Sequence, residues 1–170
     1  MSKIAGLTRG LEGIRAVDWG VEHEPIVVQQ FEAEAQLSVH KTGFWLHESG
    51  VLGASPDGII GDGRKHLVEV KCPYKFRNSS MRQGLTGCND YVVRYDEGKW
   101  LLNKKHFYYH QIQGQIYVLD ALSCFLILYA PHQKLAIIPV PKDPVWMSTK
   151  PPKLFQFYVN KYLPYAFPSC

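Results

Sequence analysis

Three charged residues, Asp57, Glu69 and Lys71, lie in a stretch whose other residues are typical of buried β-strands. Asp57 belongs to "GASPDGII" and the other two belong to "HLVEVKCP", with the Gly-rich turn "GDGR" between the two segments. Two glycines that tolerate positive φ at such a turn predict a β-hairpin. Glu69 and Lys71 are two residues apart, so both side chains leave the same face of their strand. The hairpin therefore predicts two acids and a lysine close together.

Two carboxylates held this close repel each other and resist ionisation unless a cation lies between them. Oxygen ligands with open coordination positions suit Mg²⁺, which takes one or two carboxylates together with waters and substrate phosphate oxygens. A neighbouring lysine can orient the attacking water, help to deprotonate it or stabilise charge on the phosphate. The three residues therefore indicate metal-assisted hydrolysis of a phosphodiester. Because Glu-x-Lys by itself is common, a surface hairpin with an ordinary Glu–Lys pair is the alternative.

The elements that must position this hairpin are predicted by hydrophobic periodicity. We expect helices over residues 18–36, 103–122 and 152–163, and a long, partly irregular crossing over residues 74–100. Strands are expected over residues 44–47, in the two arms of the hairpin and twice within residues 123–143. Pro25 is expected to start or kink the first helix. This order predicts an α/β fold with a central mixed β-sheet flanked by helices, as one domain over residues 1–170.

Composition is that of a folded domain in a reducing compartment. Hydrophobic residues make up 46% of the chain and charged residues 20%, which argues against disorder. The four cysteines are far apart and contain no C-x-x-C pair, so neither a zinc ribbon nor a disulfide framework is indicated. "MSKIAGLTRG" has no signal-peptide core, and the longest apolar run, residues 121–130, is too short to span a bilayer. We expect an intracellular protein, in the cytoplasm or nucleus, neither secreted nor bound to a membrane.

Basic residues are concentrated in the middle of the chain. Residues 64–105 contain ten basic and four acidic residues, with aromatic residues interleaved, while the whole chain has a net charge of +4. Such a segment suits phosphate backbones and bases, and a solvated lysine-rich surface is the alternative. The residues expected to contact nucleic acid are Ser55, Lys75, Arg77, Arg82, Lys104, Lys105 and Tyr109.

"GASPDG" followed by "VEVKCP" resembles the PD-(D/E)XK nucleases, specifically the YqaJ-like viral recombinases, whose best-known members are lambda-type exonucleases. "WGVEHEP" upstream and "HFYYHQIQGQIYV" downstream extend the resemblance in the same order along the chain. The resemblance implies a restriction-endonuclease-like core and a Mg²⁺-dependent DNA nuclease, with Mn²⁺ as a substitute ion. It also implies cleavage to a 5′-phosphate and a 3′-hydroxyl. Exonuclease action and structure-dependent endonuclease action on DNA ends, flaps or single strands both stay open.

The resemblance also implies roles for the residues of the hairpin. Asp57 is similar to the family's central metal-binding aspartate, and Glu69 is similar to its second metal ligand. The carbonyl of Val70 would complete that metal shell. Lys71 resembles the catalytic lysine that lies beside the attacking water.

Two helices contribute further residues by the same resemblance. Glu24, four residues after Gly20, resembles the helix-borne glutamate that supports a metal, and Glu22 is its competitor. Gln111 resembles the active-site glutamine that positions lysine and water. Gln113 is the rival, because it begins a Q-x-x-x-Y spacing seen in relatives. Residues 111 and 113 point about 200° apart on a helix, so only one of them can face a metal.

Several alternatives accompany this interpretation. Longer lambda-type enzymes carry an N-terminal arginine that anchors the 5′-phosphate, and neither Arg9 nor Arg15 can be matched to it. Strict 5′-end dependence and oligomeric state are therefore left open, as is a single-strand annealing or recombination partner. The function from a different class is a catalytically retired nuclease fold that only binds DNA. His106 and His110 have the spacing of a zinc-binding pair, but no third ligand is evident, and a helix-face histidine near the substrate is favoured.

Overall fold

The structure is a computed structural model that describes residues 14–61, 63, 65–85, 90–131 and 133–167. Arg9 and two residues of the Gly-rich turn, Asp62 and Arg64, lie outside the described residues. In chain order the elements are α1 (Arg15–Ala35), β1 (Val39–His40), β2 (Trp45–Leu46), β3 (Gly53–Ala54), β4 (Gly58–Ile60), β5 (His66–Lys71), a 3₁₀ turn (Tyr74–Phe76), α2 (Met81–Gly84), β6 (Val93–Asp96), β7 (Lys99–Leu102), α3 (Phe107–Leu119), β8 (Ser123–Leu128), β9 (Ala136–Pro141), α4 (Pro144–Phe157), a π-helical turn (Tyr158–Tyr162) and α5 (Leu163–Ala166).

The central element is a five-stranded sheet in the order β1-β4-β5-β8-β9. β4 and β5 are antiparallel, as the predicted hairpin requires, while β5 and β8 are parallel and β8 and β9 are antiparallel. The parallel step needs a crossover, and α3 lies in the connection between β5 and β8. The predicted mixed sheet is therefore confirmed.

Both faces of β5 are covered, which explains its nearly continuous run of buried residues. Val68 and Val70 pack with Val27 and Phe31 of α1 on one face. Leu67 belongs to the larger core on the other face, where α3 packs. Since burying one such side chain stabilises the fold by about 1.5–3 kcal/mol, these residues fix the rotation of the strand. The side chain of Glu69 therefore cannot point to solvent, and it lies between the sheet and α3.

The first helix is longer than predicted and begins at Arg15. Pro25 lies inside this helix rather than at its start. The buried stripe of α1 comes after that proline, at Val27 and Phe31, and packs on β5. The helix ends where Gln36 adopts a left-handed conformation with φ 53°. The first half of α1 carries none of these buried residues and borders an open cleft.

The segment predicted as an irregular crossing contains a hairpin, β6–β7. Glu97 and Gly98, with φ of 45° and 83°, form its two-residue turn. Positive φ at both central positions is the geometry that suits a tight hairpin. The prediction of an irregular segment was wrong here because the turn sequence Glu-Gly is a weaker hairpin signal than Asn-Gly or Asp-Gly.

The C-terminal helix begins at Pro144, not at residue 152 as predicted. The Asp143 side chain caps it by accepting hydrogen bonds from the backbone N–H groups of Val145 and Trp146, at 3.0 and 3.2 Å. Pro144 occupies the first turn, where a missing N–H costs nothing. Pro152, where the predicted helix began, lies inside the helix, as does Pro151. No helix within the described residues has the length and apolar character needed to cross a bilayer.

Candidate active site

Asp57 is held at the end of the β4–β5 pairing. The register of Gly58 with Val68 puts Asp57 opposite Glu69. The backbone N–H of Asp57 donates to the carbonyl of Val68 at 3.1 Å, and its Oδ2 accepts from the N–H of Val70 at 2.7 Å. One carboxylate oxygen is thus fixed by the neighbouring strand. The hairpin prediction that Asp57 approaches Glu69 agrees with this register.

The glycine that follows Asp57 is required by close packing. A Cβ atom on Gly58 would lie 2.3 Å from Cγ1 of Val39, the residue that begins β1. The "SPDG" segment therefore uses its glycine to let β1 and β4 approach each other. A larger residue at position 58 would push these two strands apart and move Asp57.

Glu69 is a buried carboxylate, only 2% exposed, and it accepts hydrogen bonds from three side chains. Its Oε1 accepts from Nζ of Lys71 and, at 2.7 Å, from Nε2 of Gln111. Its Oε2 accepts from Nε2 of Gln115 at 2.7 Å. A buried charge is tolerated only when it is paired and hydrogen-bonded. These donors therefore hold the carboxylate in one orientation.

The pKa values of Lys71 and Asp57 are both raised, but for different physical reasons. Burial by itself would lower the pKa of Lys71, but the charge of Glu69 and the hydrogen bond to it raise the pKa above the ordinary value. Lys71 is therefore an ammonium group and a hydrogen-bond donor at neutral pH. Burial, followed by the charge of Glu69, raises the pKa of Asp57 to about 7, although the N–H of Val70 works against this shift.

Helix α3 sends its glutamines to two different places. Gln111 and Gln115 are four residues apart, so they share the helix face that covers Glu69. Gln113 is fully buried on another face, where its Nε2 donates to the carbonyl of Pro141 at 2.8 Å and its Oε1 accepts from the N–H of Asp143 at 3.0 Å. Of the two glutamines that the sequence left open, Gln111 is the one at Glu69.

A cavity of about 850 Å³, called the carboxylate cleft below, opens on this site. Glu24 and Gly20 of α1 form one wall, and Val70 and Lys71 lie at the base. Glu22 is exposed and is not among the residues that line the cleft. The other lining residues are Ala16, Cys72, Pro73, Tyr74, Lys75, Arg77, Asp90, Tyr91, His106, Phe107 and Tyr108. The sequence-predicted residues Glu24, Val70 and Lys71 therefore border one space.

Two of the predicted nucleic-acid contacts, Lys75 and Arg77, line the carboxylate cleft. The Nζ of Lys75 lies 4.3 Å from the ring centroid of Tyr91, and the guanidinium carbon of Arg77 lies 4.1 Å from that of Tyr74. Cations stacked on aromatic rings are held in place while their charge faces solvent. This wall of the cleft is therefore both cationic and aromatic.

The remaining predicted contacts are more dispersed. Lys104 and Lys105 line a neighbouring cavity, and Lys104 also forms an ion pair with Asp143 at 3.2 Å. Arg82 lies on α2, with its guanidinium carbon 4.6 Å from the ring centroid of Tyr95. Asp90 and Tyr91 line both the cavity of Lys104 and Lys105 and the carboxylate cleft, whereas Ser55 lines a different cavity, which Gln111 also lines.

Tyr109 is not available as a nucleic-acid contact. Its side chain is 3% exposed, and its hydroxyl donates to Oδ2 of Asp143 at 2.5 Å. The preceding residue, Tyr108, borders the cleft instead, with its ring centroid 4.7 Å from Nζ of Lys71. The helical spacing of the sequence did favour Tyr108 over Tyr109. Tyr108 lies three residues before Gln111, and Gln115 lies four residues after Gln111, so the three share one helix face.

The donor set suits a hard divalent cation, although no three His, Cys, Asp or Glu side chains in the described ranges are close enough together to bind one. The fit rests on the oxygen donors Asp57, Glu69 and the Val70 carbonyl, and a cation beside them would offset the burial and the Glu69 charge that raise the pKa of Asp57. Two carboxylates and a carbonyl leave positions for water and phosphate oxygens, as Mg²⁺ requires.

The two histidines do not form a pair. Nδ1 of His106 accepts from the N–H of Tyr108 at 3.2 Å and caps α3, whereas Nδ1 of His110 accepts from Nε1 of Trp146 at 2.9 Å. Their ring nitrogens serve two different structural contacts. Cys72, beside Lys71, is equally unsuited to nucleophilic chemistry, since burial raises the pKa of its thiol to about 12.

Comparisons with known proteins converge on one group. Residues 3–121, more than half of the chain, match the model of the family described as YqaJ-like viral recombinase domain. The chain is 30% identical over 115 residues to the alkaline nuclease of Autographa californica nuclear polyhedrosis virus, and 31% identical over 116 residues to that of Orgyia pseudotsugata multicapsid polyhedrosis virus. Each match covers 59% of this chain and 27% of the viral protein. The match thus spans only about a quarter of the length of these curated relatives.

The fold is also that of a solved exonuclease. The structure of the alkaline exonuclease LHK-Exo from Laribacter hongkongensis in complex with dAMP superimposes with a TM-score of 0.68 and 20% sequence identity. The superposition covers 96% of this chain and 78% of that protein. At this level of identity the likeness shows the fold, and it confirms the predicted sheet flanked by helices.

Proposed function

The chain belongs to the family of YqaJ-like viral recombinase domains, and on that premise we propose that it is a metal-dependent DNA nuclease that hydrolyses phosphodiester bonds. The observation that carries the proposal is Glu69, a buried carboxylate opposite Asp57 that is held by Gln111 and by Lys71, and Lys71 itself lies at the base of a cationic cleft. Burying an acid is costly even when donors pair with it, and such a costly arrangement is typical of a functional site. Family membership and this geometry support the same chemistry.

Asp57, Glu69 and the carbonyl of Val70 are the proposed metal ligands, with Glu24 supporting the metal from α1. Mg²⁺ bound there, or Mn²⁺ in its place, supplies a water of lowered pKa and polarises the scissile phosphate. Burial and the charge of Glu69 raise the pKa of Asp57 in the metal-free protein, and a cation at this position would offset both effects. These carboxylates would hold the ion, and the burial around them would strengthen its field at the phosphate.

Lys71 donates hydrogen bonds from an ammonium group that Glu69 keeps protonated. Such a group stabilises the negative charge that develops on a phosphate oxygen in the transition state. Gln111 bonds the same carboxylate oxygen as Lys71, so it orients both the acid and the lysine. Lys75 and Arg77 contact the phosphates on either side, since they border the same cleft.

Attack on phosphorus opposite the 3′-oxygen would leave a 5′-phosphate and a 3′-hydroxyl. The open cleft accommodates a single strand, a flap or a frayed end, and both exonuclease and endonuclease action are included in the proposal. The whole chain is proposed to act as one nuclease domain inside the cell, with DNA as substrate and a single-strand annealing or recombination protein as partner. A DNA-binding module without cleavage is the function that the experiment must exclude.

The test is a digest of end-labelled linear, flapped and covalently closed circular single-stranded DNA with Mg²⁺ and with EDTA. We expect Mg²⁺-dependent loss of full-length linear DNA, and cutting of the circle if endonuclease activity is present. Lys71→Ala should lower the cleavage rate by about 10³-fold or more, because it removes charge stabilisation at the reacting phosphate. DNA binding in EDTA should change little.

Lys65→Ala is the matched control, because Lys65 is exposed at the start of the same strand and lines no cavity around the site. Its cleavage rate should equal that of the unmodified protein. Full activity in Lys71→Ala would refute the proposed role of the lysine. DNA binding with no Mg²⁺-dependent cleavage in any substrate would favour the binding module.

A further inference from the structure

A second cavity, of about 740 Å³, shares the lining residue Phe107 with the carboxylate cleft. It is bordered by α3 and α4, and we call it the α3–α4 groove. Gln111 and Gln115, which bond Glu69, line this groove as well. Its lining residues are Gly53, Ala54, Ser55, Phe107, His110, Gln111, Gly114, Gln115, Val118, Trp146, Lys150, Lys153 and Leu154. Two side chains that hold Glu69 therefore also line the groove.

The chemistry of this lining is bipartite. Trp146, Val118 and Leu154 give the groove an apolar wall, while Lys150 and Lys153 bring two exposed positive charges from one turn of α4. No acid is among the residues that line it. Within the described ranges neither lysine belongs to an ion pair. The apolar wall of the groove suits the planar base of a nucleotide, and the two lysines suit the phosphate joined to that base.

Phe107 connects the two cavities. It lines both of them, and its side chain is 64% exposed although it is a large aromatic residue. The ring is kept in place by His106 and Tyr108, whose ring centroids lie 4.4 and 4.3 Å away. An exposed but supported aromatic ring beside a phosphate site is a surface on which a nucleic-acid base stacks.

The floor of the groove also offers hydrogen bonds. Gln115 is 3% exposed, and its Oε1 has no hydrogen-bond partner among the described residues. His110 accepts the indole N–H of Trp146 through Nδ1, so in the neutral ring its Nε2 carries the proton and is a donor. A buried polar acceptor with no partner is unusual in a folded protein. A carbonyl of a base in the groove would accept from Nε2 of His110, whereas Oε1 of Gln115 is itself fully buried.

From these observations we propose that the α3–α4 groove is a nucleotide subsite for the strand beyond the cleaved bond. One base stacks on Phe107 against the apolar wall, and the adjoining phosphate binds Lys150 and Lys153. The proposal rests on the proposed nuclease function for its biological setting, but the subsite binds single-stranded DNA whether or not the protein cleaves it.

The experiment measures binding of a 5′-labelled dT₆ oligonucleotide in EDTA, by fluorescence anisotropy at several salt concentrations. Phe107→Ala should weaken binding about tenfold, as expected for the loss of one stacked base. Lys150→Ala/Lys153→Ala should also weaken binding and should reduce the slope of log K against log salt by about 1.4, the value for two contacts with single-strand phosphates. Phe167→Ala and Lys161→Ala are matched controls, because both residues are exposed and line neither cavity.

A set of dT₆ oligonucleotides with one abasic position separates stacking from a structural effect. At one position the abasic nucleotide should weaken binding to the unmodified protein but not to Phe107→Ala. Equal losses for both proteins at every position would overturn the stacking assignment. An unchanged salt slope in the double lysine variant would overturn the phosphate contact.

The same variants distinguish this proposal from the proposed function. If the unmodified protein cleaves DNA and the groove variants keep its KM, the subsite is wrong and the nuclease proposal stands. If nothing is cleaved but the binding losses appear as described, the subsite stands and the nuclease proposal fails. A raised KM with little change in kcat is the result expected when both are right.

Discussion

Two faces of helix α3 use the same residue type for different purposes. Gln111 and Gln115 donate to the buried carboxylate of Glu69, whereas Gln113 bridges Pro141 and the N–H of Asp143. The first helix face, which carries Gln111 and Gln115, contacts the charge of Glu69, which folding does not require. The second face closes the corner between β9 and α4, which every molecule needs in order to fold. Burial of a polar side chain therefore does not by itself identify a functional residue. The group to which the side chain is hydrogen-bonded does identify it.

The largest expected effect comes from the carboxylate that the first face serves. Glu69→Gln keeps the size of the side chain but removes the charge that holds Lys71 and the proposed metal. We expect cleavage of end-labelled single-stranded DNA to fall by about 10³-fold, in the range for loss of an electrostatic or metal-binding group. Residual activity within tenfold of the unmodified protein would show that Glu69 is only structural.

Gln111→Leu tests the first face directly. It removes one donor from Oε1 of Glu69 and frees the carboxylate to move. A hydrogen bond to a charged group contributes about 1.5–3 kcal/mol to stability, so we expect a loss of that order, together with a 10- to 100-fold lower kcat in the folded variant because the carboxylate is no longer held in place. The measurements are steady-state cleavage and urea unfolding of the same preparation. A large loss of stability with normal kcat would place Gln111 in the scaffold.

Gln113→Leu should lower stability without a comparable loss of cleavage. It leaves the carbonyl of Pro141 and the N–H of Asp143 without partners in a buried corner. We expect the free energy of unfolding to fall by about 1–3 kcal/mol, the cost of an unpaired buried polar group. Cleavage at a temperature where the variant is folded should stay close to normal. A catalytic defect in the folded variant would contradict the division between the two faces.

Asp57 gives the smallest and most specific test, through pH. Its pKa is raised to about 7 in the metal-free folded protein, against 3.8 as the ordinary value. The native state therefore binds more protons than the unfolded state between about pH 4 and 7, and stability falls as pH rises through this window. Asp57→Asn removes this dependence.

In EDTA, the melting temperature of the unmodified protein should thus fall relative to that of Asp57→Asn as pH is raised from 5 to 8. A difference of 1 kcal/mol corresponds to about 2–4 °C for a chain of this size. Parallel melting curves across the pH range would mean that Asp57 is not buried beside Glu69. Added Mg²⁺ should stabilise only the unmodified protein if Asp57 is a metal ligand.

Much of the fold could be predicted from the sequence because its determinants are local. Alternation along β5 separates Glu69 and Lys71 from Val68 and Val70, whatever packs on each side. The short strands and the hairpin turn of β6–β7 could not be predicted in this way, because two- to four-residue strands carry no clear periodicity. The true start of α4 was also missed, although Asp143 followed by Pro144 is a strong helix-start signal, because Pro152 likewise suits a first helical turn.

The sequence by itself determined the order of the elements, the spacing of the acid–lysine motif and the family to which the chain belongs. Only the tertiary structure decided that Gln111 rather than Gln113, and Tyr108 rather than Tyr109, lie at the motif. The physical reason is rotational. Periodicity tells which residues share a face of a helix, but only packing against β5 on one side and α4 on the other tells which face meets the buried charge.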